Sequence, residues 1–343
     1  MNRKHFIVLI FFIAGIYACN KETVQETFTG FQKPVNFPTP VYNFSGNEVT
    51  QGGFELGRKL FYDPLLSVNN SISCGNCHIQ TSAFTQHGHS VSHGIFDRLG
   101  TRNSPPVMNL AWNSSFMWDG GIFDLDLQPL APIANHVEMG EDITNVLNKL
   151  KSTTVYPPLF AKAYGSTDIT TTRFLKALSQ FMVMCVSNHS KYDSVMTHAG
   201  VSFSPTEEAG YQLFKQKCNS CHPEPLFTDF SFRNNGLVPS GVNDLGRYLV
   251  TLNDADKYKF KVPSLRNLQY TAPFMHDGRF FTLDAVLEHY NSQVQLMPTL
   301  DPLLHPASQA GIPLSSDERN KLLAFLGTLN DRVFITDKRF AEQ

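Results

Sequence analysis

Two five-residue runs carry spacing suited to redox chemistry that no ordinary side chain supplies. Cys74-Gly75-Asn76-Cys77-His78 and Cys218-Asn219-Ser220-Cys221-His222 are both C-x-x-C-H. In that pattern two thiols add across the vinyl groups of a haem while the adjacent imidazole turns onto the iron. A redox dithiol does not require His at the fifth position twice, and a zinc site would rarely be duplicated so far apart. The expectation is two covalently bound haem c groups, attached at Cys74, Cys77, Cys218 and Cys221, with His78 and His222 as proximal iron ligands. Cys185 differs: it extends the apolar set Phe174, Leu178, Phe181 and Met182 at helical spacing, which predicts a buried, inert thiol.

The elements around the motifs are themselves repeated. Gly57-Arg58-Lys59-Leu60-Phe61 precedes the first motif and Gly210-Tyr211-Gln212-Leu213-Phe214 the second, each reading as a helix that delivers the chain to its cofactor. Ser204, Pro205 and Glu207 form an N-cap, an N1 proline and a capping-box acid, so the second of these helices starts at Pro205. Phe116-Met117-Trp118-Asp119-Gly120 in the first half matches Phe274-Met275-His276-Asp277-Gly278 in the second. Further helical patterns cover 142–150, 171–186, 283–290 and 317–329, and no run alternates with strand period. The fold class is therefore mainly α, with two tandem cytochrome c-like haem domains and long loops, spanning 53–198 and 204–335. A chain of 343 residues with 42% hydrophobic and 17% charged residues is globular and long enough for two cores. Its formal charge of −2 offers nothing to nucleic acid.

Residues 1–18 read as an export signal, with Arg3, Lys4 and His5 ahead of an apolar run too short to span a bilayer. Ile16-Tyr17-Ala18-Cys19 resembles a bacterial lipoprotein processing site, which would make Cys19 the lipidated first residue. Residues 19–52 are then a tether, and the protein is expected in the periplasm, anchored to a bacterial membrane.

The succession Leu60-Phe61-Tyr62-Asp63-Pro64, the first C-x-x-C-H, Arg102-Asn103-Ser104-Pro105, Phe116 to Gly120, Pro132-Ile133, Val137-Glu138-Met139, the second C-x-x-C-H, Pro263-Ser264-Leu265-Arg266-Asn267 and Thr271 to Gly278 resembles the bacterial di-haem cytochrome c peroxidase/MauG family. The resemblance runs from about Gly53 to Asn330. It implies reduction of hydrogen peroxide to water at the N-terminal haem, fed through the C-terminal haem by a small cytochrome c or cupredoxin, and a homodimer.

Carried onto this chain, the resemblance makes Glu138 the distal acid that moves protons between the peroxide oxygens, and Trp118 the aromatic between the haems. Read without it, Glu138 groups with Glu141 and Asp142 at the start of a helix, and Trp118 is a core aromatic in a tight turn. In resting family members a loop His closes the peroxide site. Within the cluster His87, His89 and His93, His93 fits best because Gly94 follows it, although the stretch to Arg102 is two residues longer than the family pattern. At the second haem the place of the usual Met ligand is held by Tyr290, as in the MauG branch, with Met275 and then Met297 as other candidates. A phenolate would favour Fe(III) where a thioether favours Fe(II). Asn103, Thr271 and Pro273 coincide with family positions that coordinate calcium. Two other functions remain open on the sequence: a MauG-like oxidase of a protein or organic substrate, and a di-haem electron carrier without a catalytic pocket.

Overall fold

The computed structural model describes residues 28–305 and 310–343. The segment read as an export signal, and Cys19, lie outside them. Among the described residues no helix is long and apolar enough to cross a membrane.

In chain order the helices are α1 (Gln51–Tyr62), α2 (Cys74–Cys77), α3 (Leu130–Ala134), α4 (Ile143–Ser152), α5 (Tyr156–Tyr164), α6 (Thr171–Met184), α7 (Lys191–Met196), α8 (Pro205–Lys217), α9 (Tyr248–Thr251), α10 (Leu283–Glu288), α11 (Ser316–Gly327) and α12 (Arg332–Thr336). The only sheet among the described residues is a two-residue antiparallel pair, β1 (Phe232–Arg233) with β2 (Phe260–Lys261). Long turns and 3-10 segments connect the rest, as expected of a chain with 20 Pro and 22 Gly.

The anticipated helices form close to their expected limits because their caps are in the sequence. Ser204 accepts from the Glu207 N–H while the Glu207 carboxylate accepts from the Ser204 N–H, which starts α8 at Pro205. Asp142 caps α4 by accepting from the Thr144 N–H. The 283–290 pattern is interrupted: α10 stops at Glu288 and passes into a π-helical turn over His289–Gln293. Such turns are rare and cluster at functional sites; this one carries Tyr290.

Each half is built on one crossed helix pair, and the repeated glycine is what lets the helices cross. A Cβ on Gly57 would lie 1.9 Å from the Ala177 carbonyl oxygen, and one on Gly210 would lie 1.9 Å from that of Lys321. Only glycine permits α1 to touch α6, and α8 to touch α11, at these points. Four residues on, Phe61 and Phe214 enter the two cores, where they pack with Phe84 and Phe181 and with Phe227 and Phe325 respectively.

The two cores do not follow the expected bounds of 53–198 and 204–335. Tyr192 and Met196 of α7 pack with the second core, while Phe334, Ile335 and Phe340 return to the first. The segment read as a tether also contributes, since Phe37 and Val49 are buried in the first core with Phe28, Phe31, Tyr42 and Phe44 against it. Aromatic surface has to be covered wherever it arises, and these residues carry it.

Candidate active site

The first C-x-x-C-H motif occupies α2. Its turn is fixed by Asn76, whose side-chain oxygen accepts from the Ser73 N–H at 2.7 Å. His78 follows, and its Nδ1 donates to the Phe84 carbonyl at 2.9 Å, with the Pro105 carbonyl also bonded to it. In the second half His222 Nδ1 meets the carbonyls of Phe227 at 3.1 Å and Pro263 at 3.2 Å. Phe84 and Phe227 both have positive φ, 60° and 55°, which turns each carbonyl back onto the preceding imidazole. Holding Nδ1 in this way fixes the tautomer that leaves Nε2 free for a metal. Burial pushes the pKa of both His78 and His222 down, so both rings remain neutral, as ligands must be.

The attachment thiols are free. Burial pushes Cys74 and Cys218 up to about 12 and raises Cys77 and Cys221. A nucleophilic dithiol needs the opposite shift. Zinc has no fuller donor set either, since no group of three or more Cys, His, Asp or Glu is assembled among the described residues. Cys74, Cys77 and His78 instead face a cavity of about 500 Å³ whose lining is mainly apolar, a size and character suited to a large planar cofactor. Cys185 is fully buried in the first core, as its pattern predicts.

The same cavity receives Glu138, Trp118, Gln128, Asn135 and Met139 from the first half and Thr228, Phe230, Lys261 and Pro263 from the second. Glu138 stands apart from the helix start that follows it. Glu141 pairs with Lys149 and Asp142 caps α4, whereas the Glu138 carboxylate accepts from the Asn135 amide at 2.7 Å and borders the cavity. Burial raises its pKa, and the Asn135 hydrogen bond offsets only part of that. A carboxyl so placed keeps its proton further toward neutral pH. Gln128 is a cavity residue the sequence reading overlooked. Its amide meets the Met117 sulfur at 3.8 Å, and a lone Gln in a loop carries no local signal.

Trp118 is buried at the seam between the halves. Its indole N–H donates to the Asn103 carbonyl at 2.8 Å, and its own carbonyl accepts from the Lys261 N–H at 2.8 Å.

His93 is placed differently from its expected role. Ser92 and Gly94 border the cavity, but the exposed His93 ring turns outward and bonds Asp97 at 2.5 Å. Its loop still touches the Glu138 segment: the Ile95 N–H donates to the Glu138 carbonyl at 2.8 Å, and a Cβ on Gly94 would lie 2.0 Å from the Val137 carbonyl. Phe96 and Asp97 both adopt positive φ, and in that bend Asp97 meets the imidazole.

Around the second motif, both leading candidates for the sixth ligand meet at one amide. Asn235 donates to the Met275 sulfur at 3.5 Å and also bonds the Tyr290 hydroxyl. Burial pushes Tyr290 up to about 12, with Cys221 and Cys218 adding to the effect, so the phenol stays protonated until a metal displaces its proton. Met297 lies against Asn234 instead, at 3.7 Å. Of the residues expected at calcium, Asn103 and Pro273 converge, with the side-chain nitrogen of Asn103 2.6 Å from the Pro273 carbonyl and its oxygen 3.3 Å from the Gln86 amide. Thr271 is buried nearby in the chain. Turning that amide about would set two neutral oxygens side by side, a donor type that suits a hard cation.

A duplicated helical fold that presents two anchored C-x-x-C-H sites, one of them opening on a cavity with a buried acid, defines a di-haem c-type cytochrome. The comparisons agree. Residues 51–200 match the family described as di-haem cytochrome c peroxidase. The chain is 35% identical to the methylamine utilization protein MauG of Methylorubrum extorquens, over 87% of this chain and 83% of that one. It is 34% identical to the cytochrome c551 peroxidase of Nitrosomonas europaea, over 80% and 79%. The solved structure of a MauG-like protein associated with microbial copper homeostasis superposes with a TM-score of 0.83 at 28% identity, covering 91% of this chain and 98% of that one. The chain belongs to the di-haem cytochrome c peroxidase/MauG family.

Proposed function

We propose that the protein reduces hydrogen peroxide to water in the cavity bordered by His78 and Glu138, using electrons passed in through the second haem domain from a small periplasmic cytochrome c or cupredoxin. The observation that carries this reading is Glu138: a carboxyl whose pKa is raised by burial, oriented by Asn135 and bordering the same cavity as the first attachment motif. Haem held by Cys74, Cys77 and His78 would supply an iron able to bind peroxide and accept its oxidising equivalents.

The protein's share of the work is proton handling and positioning. Cleaving the O–O bond of peroxide to give two waters consumes two protons and two electrons, and one proton has to move from one peroxide oxygen to the other. Glu138 takes it up and returns it. Asn135 holds one carboxyl oxygen, and the amide of Gln128 adds a hydrogen-bonding group to the cavity. Trp118, hydrogen-bonded to both halves, offers the aromatic contact between them. Calcium belongs to the same reading, held by Asn103 with the carbonyls of Thr271 and Pro273. So do an extracytoplasmic location, a lipid on Cys19 and a dimer of the family type.

Tyr290 favours one second reading. If its phenol rather than the Met275 thioether binds the second iron, that haem is a poor store for donated electrons, and a MauG-like oxidation of a protein or organic substrate becomes the activity. Peroxide-dependent oxidation of a reduced small cytochrome, abolished in Glu138→Gln, is the result expected of the peroxidase. A long-lived two-electron-oxidised state formed directly from the diferric protein identifies the MauG-like enzyme. A spectrum that stays six-coordinate and low-spin after half-reduction identifies an electron carrier.

A further inference from the structure

The seam between the halves obeys a local two-fold relation, and at one position it breaks. At a single constant offset in numbering, Pro105 pairs with Pro263, Asn109 with Asn267, Ser115 with Pro273 and Trp118 with His276. The backbone follows suit. Asn109 and Asn267 have φ of 55° and 65°, and Met117 and Met275 have 68° and 73°. The bridges Phe116 to Ile122 and Phe274 to Phe280 also correspond.

Under this relation Asn103 and Lys261 are counterparts, and they make the same crossed contacts. The Asn103 N–H donates to the His276 carbonyl at 2.7 Å, and the Lys261 N–H to the Trp118 carbonyl at 2.8 Å. The Asn103 amide reaches the Pro273 carbonyl at 2.6 Å, and the Lys261 ammonium reaches the Ser115 carbonyl at 2.8 Å. One side of the seam thus carries a neutral amide and the other a full positive charge.

Among the described residues that charge has no carboxylate in salt-bridge contact. Lys261 borders the cavity at the first attachment motif, bonds a neutral carbonyl and lies 5.9 Å from the Phe116 ring. Burial pushes its pKa down to about 8, with Asp119 opposing that from a distance. Arg102, the other cation on the cavity wall, is saturated by Asp119 at 2.6 Å and by both oxygens of Asp244 at 2.6 and 2.8 Å. An ammonium withdrawn from water needs a counter-anion. Haem c brings two carboxylates of its own, and covalent attachment fixes it beside this wall.

We infer that Lys261 is the cation that pairs with a carboxylate of the haem attached at Cys74 and Cys77, so that the second half supplies a fixed charge to the first half's cofactor. The inference rests on the haem reading above. Charge so placed favours the reduced iron, and its loss favours the oxidised one.

The test is spectroelectrochemical titration of the exported holoprotein against Lys261→Met, Lys261→Gln and Lys261→Arg, with haem content measured on each. The expected result is a downward shift of the first haem's midpoint in Met and Gln, recovery toward wild type in Arg, and an unmoved second haem in all three. Lys261→Gln retains a donor for the Ser115 carbonyl. A lowered melting temperature in Met with no change in either midpoint would therefore mean that Lys261 only fastens the seam, and the inference fails. Where Met and Gln do not mature, Lys261→Arg decides by resonance Raman, because a shifted propionate-bending band supports the pairing and an unmoved band overturns it. Absence of haem from wild-type protein would instead sink the haem reading itself.

Discussion

Glu138→Gln separates the chemical role of this side chain from a structural one, because the two predict opposite signs. Gln has nearly the same shape and can still meet Asn135, which bonds the native carboxyl at 2.7 Å, but it has no proton to exchange. Removing a positioned general acid–base costs about 10²–10⁴-fold in rate, or ~3–5 kcal/mol in the barrier. Stability moves the other way. Burial raises the Glu138 pKa above its ordinary 4.5, so the folded chain binds this proton more tightly than the unfolded chain. The wild type therefore loses stability as pH climbs from the unfolded carboxyl range through the raised folded value, and the loss is constant above it. The Gln variant escapes that loss, so it should melt at or above wild type at neutral pH and coincide with it under acid conditions. Initial rates of peroxide-dependent oxidation of a reduced small cytochrome, with haem content and melting curves on the same samples, provide the measurement. Near-native kcat/KM at full haem loading would refute the assignment, and so would a fall in activity matched by a fall in melting temperature. As a companion, Asn135→Ala removes the hydrogen bond that favours the charged form and should move the acid limb of the pH–rate profile upward, because Glu138 must be deprotonated to take up the first proton.

Three further outcomes follow from packing and ligation. Tyr290→Phe and Met275→Leu assign the second haem's ligand: a lowered midpoint and altered low-spin spectrum in Met275→Leu, with Tyr290→Phe silent, is the result expected of the peroxidase, whereas a raised midpoint in Tyr290→Phe, with Met275→Leu silent, identifies the MauG-like enzyme. Gly57→Ala and Gly210→Ala should each destabilise by roughly 1–3 kcal/mol in thermal or denaturant melts, because the added methyl meets a carbonyl of the crossing helix. In an uncrowded helix the same change would stabilise, so a raised melting temperature would show that the helices do not touch there. Asp193→Asn should cost ~3–5 kcal/mol at neutral pH by stranding the fully buried Arg266, which holds both carboxylate oxygens at 2.8 Å. Burial acts to raise the Asp193 pKa, but the hydrogen bonds and charge of Arg266 outweigh it and hold the carboxyl below its usual range. The stability this pair adds is complete above the unfolded carboxyl pKa and disappears as pH falls through the depressed folded value, so the gap between variant and wild type should close in acid.

The attachment motifs, the capped helices and the place of Glu138 on the cavity were legible in the sequence because each is written in local order. C-x-x-C-H is one turn of chain, Ser204 to Glu207 is a complete cap, and the block holding Glu138 has a fixed place in the family succession. What escaped depends on the return path of the chain. Nothing local says that Phe334 and Phe340 close the first core, or that Tyr192 belongs to the second, because those pairings are set by surface left uncovered elsewhere. Gln128 was passed over for the same reason, since it becomes a cavity residue only once the loop before α3 reaches the cavity that Cys74 and Cys77 also line. His93 shows the converse. Its neighbour Gly94 packs on the Val137 carbonyl, which brings the loop beside Glu138, yet the ring itself is decided by Asp97, a partner four residues on that a motif centred on His-Gly does not include.

Duplication explains why the two haem sites share a scaffold, and substitutions at matched positions explain how they diverge. Both proximal imidazoles are held by a left-handed Phe carbonyl and a Pro carbonyl, so the difference between the sites does not originate on that side. The matched positions that differ in charge or polarisability lie at the seam. Trp118 in one half corresponds to His276 in the other, and the latter is stacked on Phe260 at 3.6 Å and pushed down to about 4 by burial, so it stays neutral. Asn103 in one half answers to Lys261 in the other. Each exchange changes the charge or polarisability of the interface without disturbing the backbone contacts that the pair shares. A single contact pattern can in this way serve one site that opens on a mainly apolar cavity and one whose two candidate sixth ligands meet at Asn235. If that is how the asymmetry is built, the double variant Asn103→Lys with Lys261→Asn should lower the first haem's midpoint and leave His78 and His222 anchored as before. A double variant whose two midpoints match wild type would place the source of the asymmetry outside the seam.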